Sequence, residues 1–482
     1  MGEDIFVVVR DLLSQNISID QIKNRLVKQG FLEADVDDAI ERAALQLRLK
    51  KIDSTKKMIG DFAWKEVLDR IGYGFVSHPF LNILFSFSGA SYFLIGFING
   101  LRTVLSLLYS SFLKEFSRVH EISKAFISRS GILYGFSFLI LSFAVVVRSP
   151  LLYSLAFLAG SLGVVAHGEI YTKFLRDNLK KERMGAFLSR ISSYGILITV
   201  VSLLISGYVM DLFPLAGKLV SLSLFGRTFS VNVYGYLISF EITAFAFILS
   251  GYVLSRIKQE MTSSQAKMSS FVKEFVTRIK VHSGFFVSNK IVVFLTLTSI
   301  ITGLVQVLGN SFYGIRIYNE FKNQFIGGFL NVAVVFSIAV VFSFIGPWFT
   351  RRLRHHIGIS PMLVFGTLLT AMLPLSLAYN PHLIVVSVAT ALSIVGSSIL
   401  GMAQGFFTRK LLSEAERQIY FSFVGVAVSL PLLILSPIGA YLGQVYGLVF
   451  LFKMLIFLLV FVATPLYFLI VLLYERTLEK AF

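Results

Sequence analysis

Glu241 and Lys453 stand at matching places in two copies of one phrase: VYGYLISFE runs from Val233 to Glu241, and VYGLVFLFK from Val445 to Lys453. Both phrases open long apolar stretches, so each charge lies about 12 Å along a helix axis from its start. A charge held at a helix centre in lipid costs about 2.5–3.5 kcal/mol on insertion scales, so it needs a role or a way out. A lysine finds the way out by stretching its methylene stem to the headgroups. A buried carboxylate that trades its charge for a proton is a candidate carrier, which makes Glu241 the first candidate for proton coupling. His167 and Glu169 form the second candidate set. Two residues apart on a helix they point in different directions, so at most one of them faces a given cavity, and histidine is the side chain that changes charge nearest neutral pH.

Other chemistry is scarce. The chain has no cysteine, which excludes disulfides, thiolate catalysis and cysteine-based metal sites. Apart from the pair His355–His356 the seven histidines are scattered, and no zinc-binding spacing occurs. No set of nucleophile, base and orienting group is visible, and no phosphate loop, so the sequence predicts neither an enzyme nor a metal or cofactor site.

The elements that position these residues follow from composition. Hydrophobic residues make up 55% of the 482, charged residues only 15%, and mean hydropathy is +0.77, too little polar surface for a chain surrounded by water. Stretches such as GILYGFSFLILSFAVVV are long enough to cross the hydrocarbon layer, and without period-2 alternation they do so as helices. Spans are expected at about 80–98, 101–116, 130–148, 150–172, 191–213, 233–255, 289–309, 325–348, 360–378, 382–407, 419–441 and 446–473. The first two are separated only by NGLRT; joined as one helix they would leave eleven. No basic start leads into a short apolar stretch in the first thirty residues, so the first span is expected to act as the insertion signal.

Placing the N-terminus inside puts Lys114, Arg118, Lys124, Arg129, the basic run from Lys173 to Arg190, seven cations from Arg256 to Lys290, and Arg351, Arg352, Arg354, Arg409, Lys410 and Arg417 on the cytoplasmic side. The outside loops then hold only Arg102, Arg148, Lys218, Arg227, Arg316 and Lys322. That asymmetry predicts twelve spans with both termini cytoplasmic, in a plasma membrane. It also accounts for the net charge of +17 without nucleic acid, leaving lipid headgroups as the partner of the basic loops.

Ahead of the spans, residues 58–78 carry Trp64, Val67, Leu68, Ile71 and Phe75 on one stripe and predict an amphipathic helix lying at the interface. Residues 1–57 are soluble in character. Ile22 and Leu26 repeat four apart before Gly30, and Val36, Ile40 and Ala44 after it, which predicts two helices joined at that glycine. The QGF turn followed by an acidic, alanine-containing helix resembles ubiquitin-associated-like three-helix modules; any protein partner of residues 1–57 is not specified by the sequence.

The opening phrase is one of three echoes. AHG at Ala166–Gly168 answers AQG at Ala403–Gly405, and Glu182–Arg183 answers Glu416–Arg417. Three echoes in one order argue for duplicated six-helix halves related by an axis along the membrane normal, at 79–256 and 289–474, with a connecting loop at 257–288 and a tail at 475–482. KKERMG before GILITVVSLLISGYVMD, and GPWFTRRLRHHIG with Gly346, Arg351 and Arg354 in place, resemble the inner loops of the major facilitator superfamily of secondary transporters. Thr350 stands where that signature usually has Asp and Leu353 where it has Gly.

The fold this implies is an all-α membrane protein of twelve transmembrane helices in two pseudo-symmetric halves, plus a small N-terminal helical domain. The resemblance implies a solute site between the halves near the midplane, gated at the signature loop by Gly346, Arg351 and Arg354. The spans that line that cavity in the family would here contribute Tyr92, Gln306, Asn310 and Gln404, with Asn331 beside them. Such a neutral, hydrogen-bonding lining suits a small polar or amphipathic solute. The function expected is alternating-access transport coupled to protons; a uniporter of the same fold, or a membrane receptor using the N-terminal module, are the alternatives.

Overall fold

The computed structural model describes residues 2–15, 17–120, 123–179, 181–213, 216–224, 227–257, 268–324, 327–379 and 381–479. The chain divides into two compact units, Met1–Trp64 with Arg256–Lys258, and Lys65–Ser255 with Gln259–Phe482. The division falls inside one helix.

The first unit contains α1 (Gly2–Ser14), α2 (Ile19–Lys28) and the start of α3 (Glu33–Phe75). Ile5 and Val9 of α1 close a core with Ile22, Leu26, Val36 and Ile40. Ser18 caps α2 by accepting from the Gln21 backbone N–H, and Gly30, at φ +93°, makes the turn into α3. Ala43 rather than the expected Ala44 continues the core stripe, since a step of three from Ile40 keeps it on the buried face.

The second unit runs α4 (His78–Phe87), α5 (Tyr92–Val119), α6 (Lys124–Val146), α7 (Pro150–Asn178), α8 (Lys181–Leu212), β1 (Lys218–Leu224), β2 (Arg227–Val233), α9 (Gly235–Arg256), α10 (Met268–Ser283), α11 (Phe285–Ser288), α12 (Lys290–Phe321), α13 (Gly328–Ile357), α14 (Ser360–Thr370), α15 (Met372–Tyr379), α16 (Leu383–Leu411), α17 (Glu414–Tyr446), α18 (Leu448–Phe457), a π-helical segment (Leu458–Ala463) and α19 (Thr464–Glu479). Among the described residues, eleven helical segments from Tyr92 onward are long and apolar enough to cross a membrane. The remaining span is broken: the end of α3 followed by α4.

That break follows from one proline. Pro79, in the first turn of α4, has no N–H to offer the Phe75 carbonyl, and the Ser206 hydroxyl donates to that carbonyl instead. The end of α3 fits against α8 and α9 because a Cβ at Gly74 would meet Ser202 Cβ at 2.5 Å and one at Gly72 the Phe247 ring at 2.6 Å.

Two expectations change here. Residues 65–76 do not lie on a surface: Lys65 and Asp69 are buried while Trp64 is 65% exposed. The stripe at Trp64, Val67, Leu68 and Ile71 was read correctly as periodic but with its direction inverted, because in lipid the apolar face turns outward and the charged face inward. The first bundle therefore begins at Lys65, not at 79. Nor does NGLRT separate two spans; α5 is continuous through it, and the turn is SGAS at Ser88–Ser91, where Gly89 has φ +95° and Ser91 accepts from the Leu94 N–H. Gly100 is a packing glycine. The hairpin of β1 and β2, with Lys218 opposite Val233 and Leu224 opposite Arg227, fills what was expected to be an outside loop.

The duplicated phrase ends its journey in two helix entries. Gly235 opens α9 so close to α8 that a Cβ would meet the Val209 carbonyl at 2.3 Å, whereas Gly447, at φ +88°, turns the chain into α18. The side chains of Glu182 and Arg183, in the third echo, lie outside the described residues.

The halves meet on two flanks, α5 against α17 and α8 against α13. On the hairpin side a Cβ at Gly96 would meet Ala440 Cβ at 2.1 Å, and the Gln444 side-chain Oε1 accepts from the Phe93 N–H at 2.8 Å. Asp211, at the end of α8, accepts from the Phe329 and Leu330 N–H groups at 3.0 and 2.7 Å and so caps α13 of the other half. At the opposite end α10 packs Phe271 against Phe112 and Phe116 of α5, and Phe275 against Phe112 and Phe423 of α17; Arg278 pairs with Glu115 at 3.0 Å. Gly96→Leu should force α5 from α17 and destabilise the protein by about 1–3 kcal/mol, seen as a lower unfolding midpoint in detergent. Gly405→Ala, with nothing within 4 Å of its added Cβ, should leave the midpoint unchanged or slightly raised.

Candidate functional site

Between the halves lies a cavity of two lobes that share His78, Thr103, Leu107 and Asn310. The first lobe, about 420 Å³, adds Asn99, Ser299, Thr302, Gln306, Gln404 and Gly425 from α5, α12, α16 and α17. The second, about 700 Å³, adds Arg102, Ser106, Ser110, Gly168, Glu169 and Thr172 from α5 and α7. The break at Pro79 is what brings His78 here.

Of the residues expected to line the cavity, the structure brings Gln306, Asn310 and Gln404 together. Gln306 and Asn310 are one turn apart on α12 and both expose their side chains to the lobe. Gln404 donates to the Tyr467 hydroxyl of α19. Tyr92 is not in the lining; its ring packs edge-on against Phe312 at 5.8 Å. Asn331 is fully buried in α13 and donates to the Phe321 and Gln324 carbonyls at 3.0 and 2.8 Å, so it closes the end of α12 rather than facing a solute.

A polar chain leads away from His78. Asn82 donates to the Asn310 carbonyl at 2.8 Å and sits 3.2 Å from His78 Nδ1, Asn99 donates to Asn82 Oδ1 at 2.8 Å, and Thr103 donates to the Asn99 carbonyl at 2.9 Å. Arg102 Nη1 donates to His78 Nε2, and its guanidinium lies 4.6 Å from the Phe157 ring centre. Arg102 was assigned to an outside loop; it instead stands within the span Tyr92–Ser117.

His167 and Glu169 diverge as the helical geometry required. Glu169 faces the second lobe, accepts from Ser110 Oγ at 2.9 Å and lies 3.5 Å from the Lys114 ammonium. His167 points the other way, into the first half, with Nε2 3.2 Å from Asp69 Oδ2 and Nδ1 3.3 Å from the Ile127 carbonyl. The Asp69 carboxylate also takes the Lys65 ammonium at 2.8 Å and a hydrogen bond from the Ser250 hydroxyl. The Lys65 ammonium rests 3.2 Å from the Tyr171 ring centre. One buried carboxylate therefore joins α3, α7 and α9, with α6 held through the histidine.

Glu241, a coupling candidate from the sequence, is exposed on α9 and lines neither lobe. Its counterpart Lys453 is also exposed, with its ammonium 5.1 Å from the Tyr379 ring. The stretch expected to form a signature loop is the helical end of α13, where a Cβ at Gly346 would meet Ser398 Oγ at 2.5 Å, so that glycine sets the approach of α13 and α16. Arg354 lies 5.7 Å from the Phe406 ring, and Arg351 lines a surface groove with Trp348 and Leu188. Thr350 donates to the Gly346 carbonyl inside its own helix.

Sequence reading missed Lys65, Asp69, His78 and Arg102. The available signal was a Lys–Asp pair four apart on the face opposite an apolar stripe, which in lipid marks the inward face. Asp69→Asn should leave the buried Lys65 with only its longer contact to Glu66, at 3.7 Å, and destabilise the protein by about 3–5 kcal/mol, whereas Lys65→Met with Asp69→Leu together should cost far less. Thermal unfolding in detergent checks both.

No family model matches the sequence, and no curated protein matches it. Solved structures do match. The crystal structure of the nucleoside transporter NupG aligns at TM-score 0.64 and 12% identity over 87% of this chain and 99% of that chain. A bacterial homologue of the iron transporter ferroportin, in an inward-facing state, aligns at 0.63 and 13% over 86% and 98%. The peptide transporter POT aligns at 0.61 and 12% over 87% and 95%.

Proposed function

We infer, from the fold that this chain shares with those transporters, a major-facilitator arrangement of two six-helix halves around a central cavity. We propose that the chain moves a small polar solute across its membrane by alternating access, coupled to protons through His167 and Asp69. The observation that carries the transport reading is the polar cavity between halves that touch closely on the hairpin side, at Gly96, Phe93 and Asp211, while the lining continues along α5 and α7 to Ser110 and Thr172. Rocking about the two flanks would expose that lining to the other side in turn. The basic loops support placing the hairpin outside and both termini in the cytoplasm of a plasma membrane.

Coupling through His167 is supported by position. Gly168 and Glu169 face the cavity on the next residues of the same turn, so a movement of α7 on solute binding reaches the His167–Asp69 contact directly. A proton taken by His167 turns that contact into an ion pair in competition with Lys65 for one carboxylate, which gives two arrangements of the cluster.

Proteoliposomes carrying an internal pH dye test this. Presented with pools of small polar solutes, the wild type should show solute-dependent proton flux, and His167→Gln should lower it at least tenfold while downhill solute uptake persists. Glu241→Gln should leave both unchanged. Solute uptake without proton movement in the wild type would favour a uniporter, and flux unchanged in His167→Gln would move coupling to Glu169.

A further inference from the structure

Three described cations that are buried or half-buried have a carboxylate partner. Lys65 has Asp69 at 2.8 Å, Arg278 has Glu115 at 3.0 Å, and Arg316, inside α12, has Glu320 at 3.1 Å. Arg102 has no carboxylate within 4.0 Å among the described residues; its partners are the imidazole of His78 and the ring of Phe157. Neither neutralises a guanidinium. A full charge close to the middle of a membrane span, on the wall of a cavity, is uncompensated in this state.

The groups around it are of one kind. Asn310, shared by both lobes, and Gln306 next to it on α12 present amides to the cavity, able to donate and to accept. The one acid of the second lobe, Glu169, is held by Ser110 and Lys114. The geometry points to an oxyanion site: Arg102 receives the carboxylate or phosphate group of a small solute, and Gln306 and Asn310 bond a hydroxyl or amide on the same molecule. This rests on the transport reading for its role, and names the solute class: a small oxyacid bearing one further polar group. Arg102 supplies two parallel N–H donors to such a group, a geometry that lysine cannot reproduce. The solute's charge then supplies the counter-ion that the protein lacks, so binding removes a cost already present in the empty protein.

The purified protein in neutral detergent at constant ionic strength should be titrated calorimetrically with lactate, lactamide, propionate and inorganic phosphate. Lactate or phosphate should bind and lactamide should not. Arg102→Gln should weaken binding by about tenfold to a hundredfold, and Arg102→Lys by less. If lactate is the oxyanion taken, Asn310→Ala should reduce the preference for lactate over propionate by about tenfold, leaving Arg102 untouched. Without ligand, Arg102→Gln should unfold at a temperature no lower than the wild type, because it removes an unpaired charge from the cavity wall within a span. A structural arginine would give the reverse. Equal binding of lactate and lactamide, no binding of any oxyanion, or a lower unfolding temperature for Arg102→Gln would each overturn the site. Proteoliposome uptake of a neutral solute, unaffected by Arg102→Gln, would also overturn it while leaving alternating access in place. Oxyanion binding without transport of any solute would keep the site and remove the transport reading.

Discussion

Asp69 is the residue on which the first half turns. Its carboxylate takes an ammonium, an imidazole and a hydroxyl from three helices, and the imidazole carries the link to a fourth. A buried ion pair earns little stability over a well-packed apolar substitute, but it is intolerant of losing one partner and it has directions. Those directions fix the rotation of the end of α3, and with it the position at which Pro79 breaks the span and turns His78 into the cavity. The polar cluster and the cavity are thus two ends of one broken helix.

Among its described residues the second half shows no such centre. The position that echoes His167 is Gln404, and it bonds the Tyr467 hydroxyl with no charge involved. The first half thus has a charged interior, while the second presents the amides of α12 and α16 to the cavity. This asymmetry was visible in the sequence only as two words, AHG and AQG.

Much of the architecture could be read directly. Ten of the twelve expected spans coincide with helices because long apolar runs leave a chain in lipid no alternative, and Gln306, Asn310 and Gln404 were placed in the cavity by the repeat and its resemblance. The failures share a cause. At residues 65–76 the period was right but the solvent was not: the rule that charges face outward reverses inside a membrane. NGLRT reads as a separator of two spans because sequence does not distinguish a glycine that bends the chain from one that admits a neighbour, and only the 1.8 Å between the absent Cβ of Gly100 and Ser436 Oγ tells which. Tyr92 and Asn331 were misplaced because a helix presents every side chain somewhere, and which face meets the cavity depends on the rotation of neighbouring helices. The hairpin was masked by its apolar residues, although KLVSLSL alternates with period 2.

The helix α10 touches both halves with unequal grips. Its ring contacts, to Phe112 and Phe116 on one side and to Phe423 on the other, have little directional preference and allow sliding. Among the described residues, the ion pair that Arg278 makes beyond its own helix goes to Glu115, on α5. In the rocking motion proposed above, α10 would be a passenger of the first half and a bearing for the second: it would travel with α5 while α17 glides over Phe275, and the short stretch through α11 into α12 would absorb the displacement.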